Sequence, residues 1–133
     1  MNIGGTVEVK EIKISLVQAL HSAGRSAPVG FVIDIGKSKI YHAGDTALFS
    51  EMRTFGEFYI PDIACLPMGG HSTMAAKEAV EAARLINAKV VIPMHYMGPP
   101  VLAKSTDEFV NVRREKNPGI QVLVLKLGEE YEF

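Results

Sequence analysis

One cysteine, Cys65, is all that the 133 residues contain. An internal disulfide is thereby excluded, and a reducing, cytoplasmic location is expected. Cys65 sits in the apolar run "IACLP", which reads as a buried, inert thiol. An excess of one charge is also lacking: 14 Lys and Arg stand against 15 Asp and Glu, for a net charge of -1. That leaves no basic footprint for nucleic acid, which is not an expected partner. No apolar run approaches the roughly 20 residues that cross a bilayer, so no membrane partner is expected either. The opening "MNIGGTVEVKEIK" is polar throughout and has no signal-peptide core. Repeats, low-complexity tracts and charge blocks are absent, as are the compact metal-binding units HxH and HExxH.

The composition is that of an ordinary globular protein, 47% hydrophobic and 22% charged. A chain of this length suits one compact domain, residues 1–133. Its first third reads as strands. "TVEV" and "IKISLVQAL" are rich in β-branched residues, and "VGFVIDIG" and "SKIYHAG" form a hairpin across "GKS". The pattern then changes. "TALFSEMRTFGEFY" reads as a helix stopped before Pro61, and "DIACLPM" as a buried strand. "TMAAKEAVEAARLI" places Ala76, Ala79, Val80, Ala83 and Ile86 on one helical face behind an expected N-cap at Thr73. "AKVVIPM" is a further strand. "STDEFVNVRREKN" opens with an expected capping box, Ser105 to Glu108, and ends in a basic turn. "GIQVLVLKLGEEYEF" closes the chain with one or two strands. Hairpins followed by alternating strands and helices make an α/β fold: a mixed β-sheet with helices on one face.

Each of the four histidines follows or ends an expected strand. His21 follows "SLVQAL", His42 ends "SKIY" with Asp45 just beyond, His71 follows "DIACLPMGG" and His95 follows "VVIPM". In α/β sheets functional groups collect beyond the strand ends. Imidazole and carboxylate suit zinc, manganese or iron. Bland readings stand beside this one. Asp45 in "HAGDT" can be the N-cap of the next helix, His21 and His95 can be hydrogen-bonded structural residues, and His71 can be merely exposed.

The segments "MNIGGTVEV", "ALHS", "GFVIDIG", "IYHAGDT", "PDIACLPMGGHSTM" and "EAARLINAKVVIPMHY", in that order, cover nearly the whole chain. With them the chain resembles the C-terminal part of metallo-β-lactamase-fold metal-dependent hydrolases, in the compact branch related to the lactonase UlaG. The resemblance implies about half of an αββα sandwich. It implies that His21, Asp45 and His95 are metal ligands, that Asp45 bridges two metals, and that Asp45 and His71 are the catalytic positions, with His42 near the site. The cofactor would be a divalent metal, zinc first, with manganese or iron as alternatives. The activity implied is attack of metal-bound hydroxide on an ester, lactone, phosphodiester or similar bond of a small molecule.

Two departures accompany the match. The family's HxHxDH motif would precede Met1 and does not occur in the 133 residues, and Ser72 stands where an aromatic residue is expected. The expected partner is therefore a second copy, as a homodimer, or a separate N-terminal chain that covers the bare sheet face. A non-catalytic subunit or remnant acting only by assembly is the alternative function.

Overall fold

The computed structural model describes residues 1–22, 24 and 26–132. Seven strands form one sheet in sequential order: β1 (Thr6–Val9), β2 (Ile12–Gln18), β3 (Val29–Asp34), β4 (Lys39–His42), β5 (Ile63–Pro67), β6 (Val90–Met94) and β7 (Gln121–Val122). β1 to β4 are antiparallel neighbours, and β4 to β7 are parallel ones. Parallel neighbours need crossovers, and three helices supply them: α1 (Met52–Tyr59), α2 (Ala76–Ile86) and α3 (Asp107–Lys116). Successive crossovers of one hand, always stepping to the next strand in the same direction, put every helix on the same face of the sheet. The expected α/β class, with helices on one face, is what the sheet order produces.

The alternation along the strands shows both faces. Val17, Val32, Tyr41, Ala64, Leu66 and Val91 point to the helix side and are buried. They pack against Met52, Ala79, Val80, Ala83, Ile86 and Phe109 in one core cluster. The alanine face of α2 is thus core, as its spacing requires. The opposite face carries Ile14, Leu16, Phe31, Ile33, Ile40 and Ile92, each only half-buried. Cross-strand register sets Ile14 beside Ile33, Ile33 beside Ile40 and Leu16 beside Phe31, so these residues form continuous apolar rows.

Several local expectations change. Residues 46–49 are not helical, and α1 begins only at Met52 behind Glu51, so Asp45 is not a helix N-cap. Thr46 explains the delay, because its hydroxyl and carbonyl are committed to neighbouring loops. Thr73 is not the N-cap of α2. That helix starts after Ala75, whose backbone N–H donates to the Glu78 carboxylate at 2.7 Å, while the Thr73 hydroxyl is buried without a partner among the described residues. At α3 the Ser105 hydroxyl faces the backbone N–H and carboxylate of Asp107, not Glu108, since the helix begins two residues after Ser105. In the closing segment the strand is just Gln121–Val122, with the Leu123 N–H still donating to the Val91 carbonyl at 2.9 Å, and its last residue, Phe133, lies outside the described residues. The stop before Pro61 is as expected: Tyr59 ends α1 and Ile60 turns left-handed at φ 51°.

Candidate metal centre

The sheet topology gathers the four histidines on one edge. β2 and β4 are both antiparallel to β3 and so run the same way, and β5 and β6 run parallel to β4. Residues 21, 42, 45, 71 and 95 therefore all lie at or just beyond the carboxyl ends of strands with a common direction. This is the edge at which α/β sheets place their ligands.

Hydrogen bonds then fasten the loops of that edge together. The Leu20 N–H donates to Thr46 Oγ1 at 2.9 Å, and the Ala47 N–H donates to the Leu20 carbonyl at 2.8 Å. The Thr46 hydroxyl in turn donates to the Ala47 carbonyl at 2.8 Å. The Met74 N–H donates to the Thr46 carbonyl at 3.1 Å. One fully buried threonine thus joins the loops that carry His21, Asp45 and His71. Sequence reasoning passed over Thr46. The local pattern concealed it, because "TALFSEMRTFGEFY" reads as a helix that begins at Thr46.

Close backbone approach fastens His95. A Cβ at Gly69 would collide with the His95 carbonyl oxygen and come within 3.3 Å of its Nδ1. Gly44, at φ +65°, similarly leaves no space between its Cα and the Val29 carbonyl. His71 and His95 hold left-handed backbones, at φ 58° and 56°. Such conformations in non-glycine residues cost energy and cluster at functional sites.

Two of the expected ligands meet. His95 Nε2 stands 3.5 Å from Asp45 Oδ2. That is beyond the roughly 2.7–3.2 Å of an N–H···O hydrogen bond. It matches the spacing of two ligands on one ion. A tetrahedral zinc with ligand bonds of about 2.0–2.2 Å separates neighbouring ligand atoms by about 3.3–3.6 Å. The other ring nitrogen, Nδ1, is buried without a hydrogen-bond partner among the described residues. An unpaired buried group of this kind calls for a specific explanation, and a bound ion or a functional role is one. The donor set and its spacing fit a divalent metal.

The remaining histidines differ in which ring nitrogen carries the hydrogen. His21 Nδ1 lies 2.8 Å from the Ser22 carbonyl oxygen. A carbonyl only accepts, so in the neutral ring Nδ1 carries the hydrogen, and Nε2 keeps a lone pair with no hydrogen-bond partner among the described residues. Metal-binding histidines are commonly held this way, with one nitrogen donating to a backbone carbonyl. His42 has the reverse arrangement: its Nδ1 accepts from the Gly44 N–H at 3.2 Å, which leaves the hydrogen of the neutral ring on Nε2. His71 is exposed in its loop. Among the described residues no three His, Cys, Asp or Glu side chains come together as a group able to hold a metal. His21 is therefore not brought into one three-ligand group with Asp45 and His95.

The model for the beta-lactamase superfamily domain matches residues 1–96. The chain belongs to the beta-lactamase superfamily. Among relatives within it, the chain is 46% identical to a UPF0173 metal-dependent hydrolase of Caldivirga maquilingensis, over 97% of this chain and 57% of the relative. It is 43% identical to UPF0173 metal-dependent hydrolase MJ1163 of Methanocaldococcus jannaschii, over 100% of this chain and 62% of the relative. Among solved structures, the metallo hydrolase Igni18 of Ignicoccus hospitalis superposes with a TM-score of 0.90 at 38% identity, covering 100% of this chain and 60% of its own. The chain thus spans about three-fifths of the length of the superfamily relatives it matches.

Proposed function

We propose that this chain is the part of a metal-dependent hydrolase that holds one side of its metal centre. Asp45 and His95 would hold one divalent ion, and His21 would help Asp45 to hold a second. The remaining ligands come from an HxHxDH-bearing segment outside these 133 residues. Zinc is the first choice of metal for these nitrogen and oxygen donors, with manganese and iron as alternatives. When bound, such an ion would supply a Lewis acid and would lower the pKa of a neighbouring water toward neutrality. This chain's own residues hold geometry around it. Thr46 fixes the Asp45 loop, the Gly69 approach fixes His95, and His71 sits on the neighbouring loop, where it can exchange a proton with substrate. The bond cleaved is an ester, lactone, phosphodiester or similar electrophile.

The observation that carries this reading is the 3.5 Å pair of Asp45 and His95, a separation suited to a shared ion. Titration of the purified chain with zinc and with manganese tests it. Binding that is saturable, and lost in both Asp45→Asn and His95→Gln, is the expected result. Binding that survives both substitutions would refute it.

A non-catalytic assembly subunit is the second reading, favoured by the lack of a three-ligand group among the described residues. Hydrolysis assays separate the two readings. The chain alone is expected to be inactive, and addition of an HxHxDH-bearing segment is expected to restore turnover that Asp45→Asn abolishes. Continued inactivity of that metal-loaded assembly across esters, lactones and phosphodiesters favours the subunit.

A further inference from the structure

Beside the Asp45–His95 pair, at the carboxyl end of β6, lies a cavity of about 990 Å³. His95 forms part of its wall, so it opens next to the Asp45–His95 pair. Its volume falls at the upper end of the range for small-molecule sites, about 300–1,000 Å³. Its other walls come from the segment leading into α3 and from the chain beyond β7.

The lining is chemically one-sided. Pro93, Met94, Met97, Val124 and Leu125 make most of it apolar. Lys104 and Lys126 add two cations, and no Asp or Glu takes part. The Lys104 ammonium donates to the Pro99 carbonyl at 3.0 Å and lies 3.4 Å from the Gly98 carbonyl. Those bonds hold it in place and leave its charge unneutralised. Neither lysine has an ion pair among the described residues. An apolar pocket with unbalanced ammonium groups selects a ligand with an apolar body and a negative group. The two methionines suit chains of varied shape, since their side chains adapt to irregular surfaces.

We propose that this cavity is the substrate subsite and that it selects an ester or lactone with a long apolar acyl chain and a carboxylate. The chain lies along Met94, Met97 and Leu125. The carboxylate meets Lys104 and Lys126, and the scissile group faces His95. This rests on the metal-hydrolase reading for its chemistry, but its binding test does not need the metal.

The test is calorimetric titration of the chain with decanoate, decanol and acetate, each below its micelle or solubility limit. Decanoate is expected to saturate at one per chain, and to bind about ten-fold or more tighter than decanol or acetate. Lys104→Ala with Lys126→Ala should weaken decanoate about ten-fold and leave decanol unchanged. Leu125→Asp should abolish binding. The lysine variants change exposed side chains and guard against misfolding in the Leu125 variant. Equal binding of decanoate and decanol, binding of acetate as tight as decanoate, or indifference to the lysine substitutions would each overturn the proposal. Asp45→Asn keeps the two readings apart: it should remove metal binding and spare decanoate binding.

Discussion

Leu20 and Thr46, 26 positions apart, are joined by a hydrogen bond from the Leu20 N–H to the Thr46 hydroxyl at 2.9 Å. The next residue along each loop is a proposed ligand or its neighbour: His21 follows Leu20, and Asp45 precedes Thr46. Thr46→Val keeps the side-chain volume and removes the acceptor. It leaves the Leu20 N–H unpaired, at a cost of about 1–3 kcal/mol. Urea denaturation should show that loss, and metal titration should show weaker binding. Thr46→Ser should restore most of both. If Thr46→Val binds metal as tightly as the parent chain, the threonine has no part in positioning the ligands.

Gly69→Ala should damage the centre without touching a ligand. The added methyl would run into the His95 carbonyl oxygen, so strand or loop must move. Small displacements of a ligand cost metal affinity in the way that lost supporting contacts do, by roughly 10–100-fold. Gly36→Ala is the control, because space around its Cα is open although its φ of +84° is also unfavourable. Gly36→Ala should lower stability modestly and leave metal affinity unchanged. Equal losses of metal affinity in both variants would show that the close approach at His95 is not the cause.

The half-buried rows of Ile14, Leu16, Phe31, Ile33, Ile40 and Ile92 give a prediction about assembly. Apolar patches beyond a few hundred Å² are rare on monomers. Covering about 800 Å² is worth on the order of 20 kcal/mol before association costs. The chain alone is expected to pair with a second copy through this face. Light scattering on dilute protein should give a dimer, and Phe31→Glu with Ile33→Lys should give a monomer. A monodisperse monomer of the parent chain that binds no hydrophobic dye contradicts the prediction.

Asp62 supplies a pH dependence far from the metal edge. The Lys89 ammonium at 2.8 Å and the Lys39 backbone N–H at 3.0 Å hold its carboxyl below the usual range. A carboxyl with a depressed folded pKa stabilises the fold above its unfolded pKa, and that contribution disappears as pH falls through the folded value. Lys89→Ala should therefore destabilise the chain slightly at neutral pH, and the two stability curves should converge in acid. A constant gap from neutral to acid pH would remove Asp62 as the source.

Cys65 should be a poor nucleophile. Burial raises its thiol pKa, so little thiolate exists at neutral pH. Alkylation of the folded chain should be much slower than in urea at the same pH. Equal rates would mean that the thiol is not shielded by the fold.

Much of the architecture is determined by local sequence. Alternation fixed the strands, the alanine spacing fixed the buried face of α2, and Pro61 fixed the end of α1, because each depends on residues close in the chain. The histidines and Asp45 were also legible as strand-end residues. Tertiary structure decided the rest. Thr73 and Ser105 carry cap-like local signals, yet α2 and α3 start further along, where the loops of the metal edge release the backbone. Only the sheet order shows that His21, just beyond a strand antiparallel to β3, shares an edge with Asp45 and His95. Only three-dimensional packing decides that Asp45 faces His95 at 3.5 Å, and that the neutral His21 and His42 rings carry their hydrogen on opposite nitrogens. Those choices rest on hydrogen bonds and close contacts between residues up to tens of positions apart, which no local pattern encodes.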